Sequence, residues 1–158
     1  MQKLGNTYGF TWDTAKTNNY ADFEWAMNTA KTGIHAIQPD GTLPEEMRRG
    51  QRALHYHLYA ASPLVMLAEL GLPNGVDLYA EDRGALKKLV KVSTEGLVDP
   101  SLFEKRTGIP QERPAPPTAE AIGWAEPYNR RFPDPTIAQL LRQCGDLSYM
   151  YLGGLPPN

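Results

Sequence analysis

Residues 40–71 read DGTLPEEMRRGQRALHYHLYAASPLVMLAELG. Pro39-Asp40-Gly41 is a turn signal at one end, and Gly71-Leu72-Pro73-Asn74-Gly75 is another at the other. Thr42 with Glu45 three residues on has the form of a capping box, and Pro44 is tolerated in a first turn. The spacing therefore predicts a helix from there towards Gly71. Ser62-Pro63 interrupts it. Either Pro63 kinks the helix, or Ser62 caps a new one with Pro63 at its first position. Leu64, Val65, Leu67 and Leu70 then make a strongly apolar end.

On the N-terminal side, Phe23, Ala26, Met27, Ala30, Ile34 and Ile37 recur at three and four residues, one helical stripe starting near 19 and ending at Pro39. On the C-terminal side, Ala85, Leu86, Leu89, Val90 and Val92 predict a helix over about 82–96. A short turn is expected at Pro100–Lys105, and short helices at Ala119–Ala125 and Thr136–Cys144. TGIPQERPAPPT, residues 107–118, is proline-rich and should run extended over the surface. Residues 1–18 read as an irregular segment and YLGGLPPN as turn and coil. No internal repeat and no alternating strand pattern is present, so the expected class is all-α, in a single domain over 1–158.

Composition narrows the function. Apolar residues at 41% and charged residues at 22% describe a globular chain with a core. Lys and Arg number 16 against 18 Asp and Glu, which gives no basic footprint for nucleic acid. No apolar run approaches the roughly 18 residues of a membrane span, so no membrane partner is expected. MQKLGNTYGFTWD lacks the apolar core of a signal peptide. Cys144 is the only cysteine, so no intrachain disulfide can form, and it reads as a small buried hydrophobe. No phosphate loop, dinucleotide fingerprint, nucleophile elbow or Cys/His metal spacing occurs. Asp77, Glu81 and Asp82 sit at a loop-to-helix entry and read as caps.

The chemistry concentrates in MRRGQRALHYHLYA, residues 47–60. On a continuous helix, at about 100° per residue, Arg49, Arg52, Tyr56 and Tyr59 share one face. Ala53 and Ala60 leave room beside them, and Met47, Leu54 and Leu58 can pack elsewhere. Such a face can be a solvated surface. It can also hold a carboxylated substrate, because guanidinium binds carboxylate through paired hydrogen bonds. A neighbouring guanidinium also favours phenolate, so a tyrosine there can take and return a proton. β-Elimination from a uronic acid needs both functions: a base for the C5 proton, positive charge for the carboxylate, and an acid for the departing O4. His55 and His57 are two residues apart, which on a helix points them away from each other, so no metal site is expected. Surface or packing roles are the ordinary reading for both, with His57 the better candidate for substrate contact.

The 40–71 stretch, followed by NGVDLYAEDRGALKKLV at 74–90, closely resembles the alginate lyases of polysaccharide lyase family 5. FEWAMNTAKTGIHAI, TGIPQE, GWAEPYNRRFP and YLGGLP resemble other segments of that family, so the likeness covers roughly residues 21–158. It implies an (α/α) toroid with a deep cleft, here only part of it. It also implies endolytic β-elimination of mannuronate-rich alginate, with no cofactor and no essential metal. The family's catalytic pair falls on Tyr56 and Arg49; Arg52, His57, Tyr59 and His55, in the same stretch, are the expected substrate-binding residues. Tyr59 and Arg52 have the same spacing, which leaves the register open between the two pairs. The family also uses an Asn-Asn-His segment well upstream to neutralise the carboxylate. Here Asn18-Asn19-Tyr20 lies only a few residues before Phe23 and ends in tyrosine. The chain is therefore expected to be the C-terminal portion of such a domain. Self-association or a partner chain would complete its cleft. The partner expected is an anionic polysaccharide, and the location periplasmic or secreted. The alternative is a non-catalytic polysaccharide-binding module or a truncated, inactive lyase fragment.

Overall fold

The computed structural model describes residues 20–112 and 117–144. The segment 1–18, Asn19 and the YLGGLPPN tail lie outside the described residues. Among those described there is no strand. In chain order they form α1 (Tyr20–His35), α2 (Pro44–Met47), a 3-10 turn at Gly50–Arg52, α3 (Ala53–Gly71), a second 3-10 turn at Leu72–Asn74, α4 (Glu81–Val98), α5 (Ser101–Thr107), α6 (Ala119–Ile122), α7 (Ala125–Arg131) and α8 (Pro135–Gln143).

The apolar stripes read from periodicity are the core. Met27, Ala30 and Ile34 of α1 are buried, as are Ala85, Leu86, Leu89, Val90 and Val92 of α4. Each Met, Ile, Leu or Val side chain among them, fully removed from water, stabilises by roughly 1.5–3 kcal/mol. Helix α3 is the element on which the others close. Eleven of its 19 residues are buried, which leaves it too narrow an exposed strip to be a surface helix. α4 packs along it most extensively, α1 also lies along it, and α5, α6 and α7 meet it as well. Gly96 lets α4 come close to Leu54 of α3 and to Phe103. A Cβ there would stand 2.7 Å from Leu54 Cδ1 and 2.8 Å from Phe103 Cε2.

The helix expected to run on from Pro44 through the 47–60 cluster is broken before α3. Residues 48–52 form turns, and Gly50 takes a left-handed φ of 61°, open to glycine at little cost. Arg49 and Arg52 consequently lie outside regular α-helix. Beyond the break α3 is one helix straight through Pro63, which is exposed, so Ser62 starts no new helix. The capping box does not form either. The residue before α2 is Leu43, extended and without a side-chain cap. Thr42 is buried, and both its hydroxyl (2.7 Å) and its N–H (3.1 Å) donate to Asp40 Oδ1. The loop can fold back there because Gly41 has a φ of 87° and no side chain to strike the Lys88 carbonyl. Burial opposes the charge on Asp40. The Thr42 hydrogen bonds and the Arg106 guanidinium outweigh it and hold the carboxyl below the usual carboxylate range.

Farther along, Asp77 is the cap expected of it, accepting from the N–H groups of Tyr79 and Ala80 at 3.0 and 3.1 Å. Glu81 joins α4 to α1 through His35 Nε2 at 2.8 Å. The entry to α4 is a tight left-handed bend, with φ of 42°, 56° and 77° at Asp82, Arg83 and Gly84. The short helix α7 falls between the two expected at Ala119–Ala125 and Thr136–Cys144, with Pro127 in its first turn, where proline is tolerated. Its anchor is Glu69, only 6% exposed. Arg131 donates to both Glu69 oxygens at 2.8 Å, and the Tyr79 hydroxyl donates to Oε1 at 2.8 Å. Burial first, and the Glu69 charge second, push the Tyr79 phenol far above its ordinary range. Cys144 is half-buried, its thiol 3.0 Å from the Pro117 carbonyl, and burial raises its pKa.

Gly96→Ala puts a methyl group into the contact of Leu54 with Phe103. It should destabilise the fold by about 1–3 kcal/mol in urea denaturation. An unchanged midpoint would show that the α3–α4–α5 junction is looser than its distances imply.

Candidate functional site

The break at 48–52 decides how the cluster is arranged. Tyr56 is carried by the second turn of α3 and is half-buried; His55 and Tyr59 flank it and are exposed, Tyr59 at 66%. Their rings meet edge-on, His55 to Tyr56 at 5.4 Å and Tyr56 to Tyr59 at 6.5 Å between centroids. Arg49 arrives from the turn, not from the helix. Its guanidinium carbon lies 4.6 Å from the centre of the Tyr56 ring, a cation–π contact. Its Nε is 3.4 Å from Glu46 Oε2, an oxygen that is buried and makes no hydrogen bond of its own. Arg49 thus stays more than half exposed while sitting against the phenol.

Arg52 is directed elsewhere. Its Nε donates to Glu112 Oε2 at 3.0 Å, and Gln51 Nε2 donates to the other oxygen at 2.7 Å. The two arginines are therefore in different situations, one over a tyrosine and one in an exposed ion pair. Any carboxylate approaching Arg52 would compete with Glu112. At such exposure the pair itself contributes little to stability.

His57 does not fill the role expected of it. It is fully buried. Its Nδ1–H donates to the Ala53 carbonyl at 2.7 Å, and its Nε2 accepts the Leu43 N–H at 2.8 Å. Its ring packs edge-on against Phe103 at 4.9 Å. With both nitrogens engaged inside the protein it offers nothing to a substrate. Burial holds its pKa below the ordinary value, against the raising effect of the Ala53 bond, Glu46 and Asp40.

Sequence reasoning missed the brace on the other side. Gln111, expected on a surface run, is buried. Its Oε1 accepts the Leu54 N–H at 3.1 Å, and its Nε2 donates to the Gly50 carbonyl at 3.0 Å. The Glu112 N–H donates to the Gln51 carbonyl at 2.8 Å. These bonds satisfy backbone groups that the break between α2 and α3 leaves open. The one local sign was a polar Gln-Glu pair inside a proline-rich run. A groove of about 380 Å³ lined by Val92, Gly96, Leu102, Phe103 and Thr136 shares no residue with the 47–60 cluster. Among the described residues no three His, Cys, Asp or Glu side chains are placed to hold a metal ion, and no helix is long and apolar enough to cross a membrane.

The chain resembles known proteins over this same region. The alginate lyase family model matches residues 14–103. An alginate lyase of Pseudomonas syringae pv. syringae is 40% identical over 133 residues, covering 81% of this chain and 35% of that protein. A polysaccharide lyase of Stenotrophomonas maltophilia (strain K279a) is 44% identical over 174 residues, covering 98% of this chain and 51% of its own length. Among solved structures, a histidine-to-alanine variant of alginate lyase A1-III in its apo form superposes with a TM-score of 0.74 at 28% identity, over 84% of this chain and 38% of that one. The same variant complexed with tetrasaccharide gives 0.74 at 27%, over 86% and 40%. The helices described above are thus part of an (α/α) toroid. The chain spans from about a third to about half the length of these curated relatives.

Keeping His57 neutral makes stability depend on pH. An unfolded histidine titrates near 6.5 and the folded one lower. The stability tied to the neutral ring is whole above that value, and is lost as pH falls from it through the folded pKa. Thermal midpoints should therefore drop on acidification below about pH 6.5. His57→Gln should flatten that part of the slope, and parallel curves for the two proteins would refute the assignment.

Proposed function

Because the chain belongs to the alginate lyase family, we propose that it carries the Tyr56–Arg49 side of a site that cleaves alginate by β-elimination. One observation carries the choice of residues: the Arg49 guanidinium lies 4.6 Å from the Tyr56 ring centre while remaining open to solvent. The alternative pair, Tyr59 with Arg52, lacks support of this kind, because Arg52 turns to Glu112.

In this reading the Tyr56 oxygen removes the C5 proton of a uronate. The electron pair left behind spreads into the adjacent carboxylate, where Arg49 supplies positive charge as negative charge grows. The C4–O4 bond breaks, a C4–C5 double bond forms, and the proton held by Tyr56 passes to O4 of the leaving sugar. Tyr59, His55 and Arg52 border the same face and contact neighbouring sugars, Arg52 by exchanging Glu112 for a uronate carboxylate. Mannuronate-rich polymer is the proposed substrate and the periplasm the proposed location, both by family likeness. Tyr20 and Trp25 of α1 are 67% and 70% exposed. A second copy or a partner chain completing the cleft belongs to the same proposal.

Elimination creates a conjugated unsaturated uronate, so ultraviolet absorbance of the chain with polymannuronate reads it directly. Tyr56→Phe should abolish the rise and largely spare binding. Arg49→Ala should lower the rate by about a hundredfold and weaken binding as well. A folded wild-type chain that binds the polymer without any rise is a binding module, and the catalytic reading fails.

A further inference from the structure

We propose that His57 is the positioning residue of the Tyr56–Arg49 pair, acting through the Leu43 amide. The inference rests on the catalytic reading above for its purpose, and on geometry for its substance. A buried imidazole costs free energy unless its nitrogens are matched, and a leucine or phenylalanine could fill the same space against Phe103. What only a hydrogen-bonding side chain can do here is join two elements. Nδ1 is bound within α3, to the Ala53 carbonyl, which fixes the ring. Nε2 then receives the Leu43 N–H, the backbone donor immediately before α2.

That donor stands at a helix start with no side-chain cap. His57 therefore accepts, across space, the N-cap N–H that the acidic side chain of a capping box would accept locally. α2 carries Glu46, and Arg49 follows α2 by two residues. Tyr56 is the chain neighbour of His57. One imidazole thus sets the height of the segment bearing the arginine against the helix bearing the tyrosine, while Gln111 fixes the far end of that segment through Gly50 and Leu54. The charged groups acting on the ring are Glu46 and Asp40.

Two substitutions divide the bonds of the ring. The amide of His57→Asn reaches only the Nδ1 position, so it keeps the intrahelical bond and drops Leu43. The longer His57→Gln places its oxygen near the Nε2 position and can keep Leu43. Wild type and both variants would be compared by nuclear Overhauser contacts between the Arg49 side chain and the Tyr56 ring, by Leu43 amide exchange, and by kcat and KM on polymannuronate, with thermal midpoints alongside. In the Asn variant, Leu43 exchange should speed up and the Arg49–Tyr56 contact should vanish. Its kcat should fall about tenfold or more, with KM within about twofold. The Gln variant should keep the contact and stay within about threefold of wild-type kcat. An Asn variant that retains the Arg49–Tyr56 contact overturns the proposal. So does equal loss of contact in Asn and Gln in step with their midpoints, which would mark His57 as packing alone. If wild type eliminates nothing, the catalytic reading falls, and the Arg49–Tyr56 contact by itself still decides the positioning role.

Discussion

A helix buried along most of its length can hold polar side chains inside only if another element meets each of them. Helix α3 sets that condition for the whole molecule. Two of its buried residues, His57 and Glu69, are polar enough to be ruinous if left alone. They are satisfied from opposite directions along the sequence: His57 by the Leu43 amide upstream, Glu69 by Tyr79 and Arg131 downstream. The apolar faces of α1 and α4 supply the bulk of the burial. These two polar contacts decide which segments must come to which end of α3, and therefore where Tyr56 and the exposed His55 and Tyr59 face.

Much of the fold was legible because helical periodicity is a local signal. The stripes on α1 and α4, the turn at 71–75 and the cap at Asp77 all stand where spacing put them. The departures from the local reading have local and tertiary causes. Thr42 and Glu45 have the letters of a capping box, but Asp40, two residues earlier, takes the Thr42 hydroxyl first. Gly50 inside MRRGQR was read through as helix, although it was the one residue there able to turn left-handed at little cost. Pro63 was weighed as a break and is not one. Local letters state what a segment can do, and tertiary partners choose among those options.

The site was legible to the extent that its residues are near neighbours in sequence. Arg49 and Tyr56 do come together, although the uninterrupted helix that predicted a shared face does not exist; the turn delivers the arginine instead. Arg52 was indistinguishable from Arg49 in the sequence because its partner, Glu112, is 60 residues away. His57 is the better substrate candidate of the two histidines on sequence and takes the ordinary packing role instead, because nothing in its vicinity shows that Leu43 and Phe103 enclose it. Gln111 could not have been found by pattern, since its bonds cross 57 and 61 residues.

That last distance has a temporal side. α3 and α4 are consecutive and can pair early, whereas the Gln111–Glu112 strap must close a loop of about 60 residues, at an entropic cost that grows with loop length. Until it docks, the Gly50 carbonyl and the Leu54 amide lack the bonds that frame the turn. On this ordering the core would consolidate first and the arginine-bearing turn last. During synthesis, those two bonds form only after Gln111 has been added to the chain.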